Sequence, residues 1–302
     1  MFLSKIAKYS PSQRHFSKIL SAFATVDPKN LGAHAKGHNL VNGEWKQTIK
    51  SRELIDPMTG KVMLTQPDTS MEETQPFIES LQQCPKSGLH NPFRNKERYI
   101  MLGEVSRKLV EAVQDKEVWD FFVQSMQRVC PKSHAQTHGE FKVTIDFFKN
   151  FCGDNVRYLA KSERSPGDHL GQFATSYRWP YGPVAVISPF NFPIEIPVLQ
   201  MMGALYMGNK VLVKPDVRTA MPLEQFVRLL HHCGLPKEDL SFIYSDGPTA
   251  EHILKKAPVN QTLFTGSSNV AEHLMKSLKG KVRIEDAGFD WKILGPDVPK
   301  DQ

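Results

Sequence analysis

The chain has 302 residues, 40% hydrophobic and 23% charged, which is ordinary for a globular protein and excludes a disordered or fibrous chain. At this length it can bury one large core or two smaller ones. The formal charge of +6 hints at nucleic acid, but Met1 to Val26 holds Lys5, Lys8, Arg14 and Lys18 with no acid, so the remainder carries only +2 and the polyanion reading loses its support.

That N-terminal segment, residues 1–26, is basic, apolar and hydroxyl-rich. Arg14 and Lys18 alternate with Phe16, Ile19 and Leu20 in an amphipathic pattern, which describes a mitochondrial transit peptide better than a secretory signal, so a mitochondrial matrix protein is expected. No run of eighteen apolar residues occurs, because Glu195 and Gln200 interrupt the longest candidate. Neither a membrane nor a nucleic acid is an expected partner.

From Leu40 to Pro67 the sequence is turn-rich and strand-like, with Asn42-Gly43 and Asp56-Pro57-Met58-Thr59-Gly60 as turns, and reads as a hairpin-like preamble. From Met71 to Ser162 the apolar spacing becomes helical and predicts three or four helices. Residues 27–178 thus form an N-terminal hairpin and helical part, ending in a loop from Ser165 to Gln172. Cys84, Cys130, Cys152 and Cys233 lie far apart without a C-x-x-C pair, which points to reduced thiols. Cys130, His134 and His138 could share a helix face, but Pro131 breaks the register and no H-E-x-x-H pattern is present, so no metal site is expected. His231 and His232, just before Gly234, belong to the last turn of a helix.

Residues 179–302 alternate regularly. Strand-like Val184 to Ile187, Lys210 to Lys214, Leu240 to Tyr244, Gln261 to Thr265 and Lys281 to Glu285 are separated by helical runs, which predicts an α/β fold with a doubly wound parallel sheet that binds a nucleotide. The G-x-G-x-x-G fingerprint is absent. In its place, Ser188-Pro189-Phe190-Asn191-Phe192-Pro193 joins the first strand to its helix, and the prolines give the Asn191 carboxamide a preset direction at the sheet edge where ligands bind. Lys214-Pro215-Asp216 puts an ammonium and a carboxylate where ribose hydroxyls would lie. Thr265-Gly266-Ser267-Ser268 opens a helix with a serine cap and free N–H groups suited to a pyrophosphate. Glu285 leaves the last strand as a candidate general base.

The order and spacing of Ser-Pro-Phe-Asn-Phe-Pro, Lys-Pro-Asp, Asp246-Gly247-Pro248, Phe-Thr-Gly-Ser-Ser and Ile-Glu-Asp-Ala-Gly resemble the aldehyde dehydrogenase superfamily. The blocks Asn150-Phe151-Cys152-Gly153-Asp154, Tyr177-Arg178-Trp179-Pro180-Tyr181-Gly182-Pro183 and Glu285-Asp286-Ala287-Gly288-Phe289-Asp290-Trp291-Lys292 resemble, more narrowly, the plant-type mitochondrial Δ1-pyrroline-5-carboxylate dehydrogenases. So does Cys84-Pro85-Lys86 with Gly88-Leu89-His90-Asn91-Pro92-Phe93. The resemblance implies oxidation of L-glutamate 5-semialdehyde to L-glutamate with NAD, in proline breakdown, by a homo-oligomer.

It also implies roles. Asn191 matches the amide that holds the oxyanion and Glu285 the base that deprotonates water; Lys214 with Asp216 matches the ribose site, and Ser267 the pyrophosphate serine. Ser188, Pro189, Phe190, Thr265 and Gly266 frame the cofactor, and Gly247 with Pro248 borders the adenine. The family's glutamate three residues after the lysine is Val217 here, which weakens the exclusion of NADP, and its second glycine after Gly266 is Ala271. The nucleophilic cysteine of the family lies downstream of the glutamate, whereas this sequence stops 17 residues after Glu285 and none of its four cysteines matches by position. The expectation is a chain lacking the substrate domain, inactive alone and exposing apolar surface. Three readings follow: a fragment of an active enzyme, a short product that binds NAD or the full-length subunit, or a nucleotide-binding module with another task.

Overall fold

A computed structural model describes residues 17–286, apart from 57 and 92, together with residues 295–298. Helix α1 (Lys18–Phe23) precedes two hairpins, β1 (Asn39–Val41) with β2 (Glu44–Lys46) and β3 (Ser51–Ile55) with β4 (Val62–Pro67). The first turns through Asn42 and Gly43, both at positive φ (51° and 78°), the backbone that a two-residue hairpin with right-handed twist requires. A 3-10 turn (Glu72–Thr74) leads into α2 (Gln75–Gln82), and α3 (Lys96–Ala112), α4 (Lys116–Val129) and α5 (His134–Lys149) follow. Asp115 caps α4, and Ser133 with Gln136 forms a capping box on α5. After a 3-10 segment (Gly153–Ala160), β5 (Ser162–Pro166) and β6 (Phe173–Tyr177) make an exposed two-stranded arm.

The alternating part runs β7 (Pro183–Ile187), α6 (Glu195–Tyr206), β8 (Lys210–Lys214), α7 (Ala220–His232), β9 (Leu240–Phe242), α8 (Gly247–Lys256), β10 (Gln261–Gly266), α9 (Ser268–Ser277) and β11 (Val282–Asp286). These strands build a sheet of order β11-β10-β7-β8-β9-β1-β2, parallel from β11 to β9. The chain winds outward from β7 to β9, then returns to the other side of β7 for β10 and β11. The order therefore reverses between β7 and β10, where the loops leaving the two strands diverge and open a crevice.

Alternate residues explain why β7 and β8 read as unbroken apolar runs. Val184, Val186, Val211 and Val213 join one core cluster with α3 to α7, while Ala185 and Leu212 join a second with α2, α8 and α9. Strand side chains point alternately to the two faces, and here both faces are covered.

Two expectations are corrected. The β1–β2 hairpin is not a separate preamble: β1 pairs antiparallel with β9 and extends the main sheet. Of the expected loop from Ser165 to Gln172, Ser165 and Pro166 lie in β5, and only 167–172 form the turn, closed by Gly167 N–H donating to the Gln172 carbonyl (2.9 Å). The expected leader boundary at 26 falls among core residues. Leu20, Phe23 and Val26 are buried, Phe23 stacks on Phe122 (centroids 5.8 Å apart, planes 2° apart), and Thr25 exchanges two hydrogen bonds with Gln225, both 2.9 Å. Residues 1–16, the motif positions 287–294 and Pro92 of the quoted block lie outside the described residues.

Candidate active site

The cleft at the reversal point has a volume of about 1230 Å³. It lies at the C-terminal ends of β7, β8, β10 and β11, and its lining contains Ser188, Pro189, Phe190 and Asn191 after β7 and Lys214 and Asp216 after β8. Gly247 and Pro248 open α8 on one side, and Thr265, Gly266, Ser267 and Glu285 close the other. All twelve residues named from the sequence therefore meet in one place.

The loop after β7 is held from outside the sheet. Glu140, wholly buried on α5, accepts hydrogen bonds through Oε1 from the N–H groups of Ile194 (3.0 Å) and Glu195 (3.2 Å), which are orphan donors at the start of α6. Its Oε2 pairs with Lys132 Nζ at 2.8 Å, and that ammonium lies 3.6 Å from the centre of the Phe192 ring. The Asn191 side chain stands exposed between these supports. Burial, then the Glu140 charge, raises the carboxyl pKa of neighbouring Glu195.

Lys214 is largely buried and makes no ion pair among the described residues; loss of solvation lowers its pKa. Asp216 accepts from the backbone N–H of Arg218 (2.9 Å), its Nε (2.9 Å) and its Nη2 (2.7 Å). Burial alone would raise the Asp216 pKa, but these bonds outweigh it and hold the carboxyl below its ordinary range. The Arg218 guanidinium also stands over the Phe190 ring, 4.8 Å from its centre.

Across the cleft, Thr265 pairs in register with Glu285. Thr265 Oγ1 accepts from Gln200 Nε2 (3.0 Å) and donates to Glu285 Oε2 (3.5 Å), a long bond that leaves the exposed Glu285 carboxylate largely free. Gly266 has no alternative, since a Cβ there would come 2.6 Å from the Phe264 ring. Ser267 is the N-cap residue of α9, but its side chain makes no capping hydrogen bond, contrary to expectation, so its hydroxyl and the first N–H groups of α9 stay available. Ala271, where a second glycine was expected, buries its methyl in the second core cluster.

None of the four cysteines lines the cleft. Cys84, Cys130 and Cys233 are buried, and burial raises the pKa of all four thiols, that of Cys233 to about 12. A nucleophilic cysteine needs the opposite shift. No group of three or more His, Cys, Asp or Glu that could hold a metal occurs among the described residues.

A nicotinamide dinucleotide fits what is present. The Ser188 hydroxyl is buried against the cleft without a hydrogen-bond partner, the Lys214 ammonium makes no direct ion pair among the described residues, and a helix N-terminus with unused N–H groups suits a pyrophosphate.

The model of the aldehyde dehydrogenase family matches residues 45–293. The chain belongs to this family. It is 54% identical over 278 residues to the mitochondrial Delta-1-pyrroline-5-carboxylate dehydrogenase 12A1 of Arabidopsis thaliana, covering 91% of this chain and 50% of that protein. Among solved structures, the fold is similar to that of methylmalonate-semialdehyde dehydrogenase from Oceanimonas doudoroffii, with a TM-score of 0.72 at 23% identity over 84% of this chain and 50% of that one. It is also similar to a betaine aldehyde dehydrogenase double mutant from Staphylococcus aureus solved with NAD+, with a TM-score of 0.70 at 18% identity over 86% of this chain and 51% of that one. This aldehyde dehydrogenase chain spans about half the length of the curated relatives it matches. Arg218, Glu140 and Lys132 escaped the sequence reading of the site. Arg218 follows the Lys-Pro-Asp motif directly and could have been found as its ion-pair partner; nothing in the sequence connects Glu140 with residues more than fifty positions later.

Proposed function

We propose that this chain is the dinucleotide-binding part of a mitochondrial matrix enzyme that oxidises L-glutamate 5-semialdehyde to L-glutamate with NAD. The observation that carries the reading is the convergence of Asn191 and Glu285, from opposite sides of the reversal point, on a cleft that also presents Lys214. Identity to the Arabidopsis enzyme over nearly the whole chain supports the substrate and the mitochondrial location.

In this reading Lys214 and Asp216 hold the adenosine ribose, Ser188 and the start of α9 take the pyrophosphate, and the prolines at 189 and 248 shape the floor. When bound, the nicotinamide supplies the hydride acceptor. Asn191 donates its amide N–H to the oxygen of the aldehyde as negative charge develops there. Glu285, exposed on β11 beside Thr265, takes the proton from the water that hydrolyses the acyl enzyme. The thiolate belongs to the part of the family fold that the relatives carry beyond this match, because no thiol here is placed or poised for attack. A homo-oligomer is part of the proposal. The exposed β5–β6 arm and the cluster of half-exposed Phe93, Tyr177 (4.6 Å) and Trp179 (5.6 Å) at its base support it.

The test is calorimetric titration of the purified chain with NAD. Saturable binding that Lys214→Ala weakens about tenfold is expected, the loss of one charge-assisted contact. Absence of binding to a folded chain would sink the reading. NADH formation on adding glutamate semialdehyde is expected to be nil; a positive result would put the nucleophile among the four cysteines and overturn that part.

A further inference from the structure

We infer that Glu251 is a positioning residue of the cleft: it ties α8 to α9 and so sets the width of the gap between them, into which the purine ring of a dinucleotide inserts. This rests on the reading of the cleft as a dinucleotide site. The gap is an apolar part of that cleft. Pro248, Ala250 and Leu254 line it from α8, and Val270 and Leu274 line it from α9. Val270 is 46% exposed, an apolar side chain that a flat ring would cover.

The two helices share the second core cluster through Ile253 and Leu254 of α8 and Ala271 and Leu274 of α9. Beside the cleft they are joined by hydrogen bonds instead. Glu251 Oε2 lies 2.8 Å from His273 Nε2, and Glu251 Oε1 accepts from the Ser277 hydroxyl, so one carboxylate on α8 grips α9 at two points a turn apart. On its own helix, Lys255 Nζ stands 2.6 Å from Oε1 and fixes the rotamer of the carboxylate. The bonds from Lys255 and then Ser277 hold the Glu251 carboxyl down at about 2, so the tie stays charged throughout the neutral range.

Both Glu251 and His273 line the cleft, and the Glu251 side chain is mostly buried, so the tie forms at the wall of the gap and not out in bulk water. The phosphate end of the cleft does not depend on it. Ser268 opens α9 directly after β10, whereas His273 and Ser277 lie more than one turn further along the helix. Loss of the tie therefore loosens the gap and leaves the N-terminal seat of α9 in place.

ADP and inorganic pyrophosphate, titrated calorimetrically into the purified chain, separate the gap from the phosphate seat. Both are expected to bind, ADP more tightly. Glu251→Ala should lower the affinity for ADP about tenfold, because a loosened gap gives up part of its contact with the ring, and should leave pyrophosphate binding unchanged. Glu251→Gln, which keeps an acceptor oxygen for α9, should recover part of the loss. His273→Ala combined with Ser277→Ala should repeat the effect of Glu251→Ala and stands in for it if that variant does not fold. If ADP does not bind the folded parent chain, the dinucleotide reading falls and the inference with it. If ADP binds and these variants leave its affinity unchanged, or weaken ADP and pyrophosphate alike, the inference alone is overturned.

Discussion

His90 and His231 are held neutral inside the protein by burial first and by neighbouring cations second, Arg98 for the one and Lys237 with Arg228 for the other, and both titrate at about 4. His90 lies edge-on to Tyr99 with its Nδ1 accepting from Arg98 Nε (3.2 Å), while both ring nitrogens of His231 lack partners beside Trp45. The folded state therefore releases protons that the unfolded chain keeps, and its stability is full above the ordinary histidine range near pH 6.5. It falls as pH drops from there through 4, by on the order of 3 kcal/mol for each group. Urea midpoints measured between pH 7 and 4 should follow that decline, and His231→Asn should flatten it. A midpoint that stays constant across this window would show that neither imidazole is buried in its neutral form.

The supports of α6 act at the scale of elements, because Glu140 belongs to α5 and Lys132 to the turn before it. Glu140→Ala would leave a nearly buried ammonium and two helix N–H groups without partners, and the expected loss is about 3 kcal/mol or more in urea unfolding. Lys132→Met combined with Glu140→Gln should recover part of it, since the double change removes the stranded charge. Additive losses would mean that the pair is not coupled. How well each element could be read from sequence follows the same logic. Strands β7 and β8 were legible because each holds a short apolar run bounded by glycine, proline or a polar residue and covered on both faces. The arm was not, because Ser162 to Pro166 has no apolar alternation and is exposed at every position. The place of β1 in the sheet was invisible for another reason: its three residues name no partner, and the choice of β9 rests on packing 200 residues away. In the cleft, the residues that present chemistry sit in local motifs, whereas Glu140 and Lys132 act across tertiary distance.

At the scale of the whole molecule, helix α1 and the middle of the chain share one core. Phe23 packs between Phe121 and Phe122 of α4, both rings 5.8 Å away, so Phe23→Ala should cost about 3–5 kcal/mol. A version beginning at Asp27 should aggregate or unfold, while one beginning near Ser17 should match the parent in thermal melting. Equal stability of the two versions would return residues 18–26 to the leader. The pairing of β1 with β9 has a temporal side as well. Asn39 accepts the Tyr244 N–H across 205 positions, so during synthesis β1 emerges long before its partner exists. At about 5–20 residues per second the wait is roughly 10–40 s, a period in which the edge of β1 that faces β9 stays unpaired. The sheet can therefore close at that end only after β9 and Tyr244 have been made, which ties the first hairpin of the chain to a strand four-fifths of the way along it.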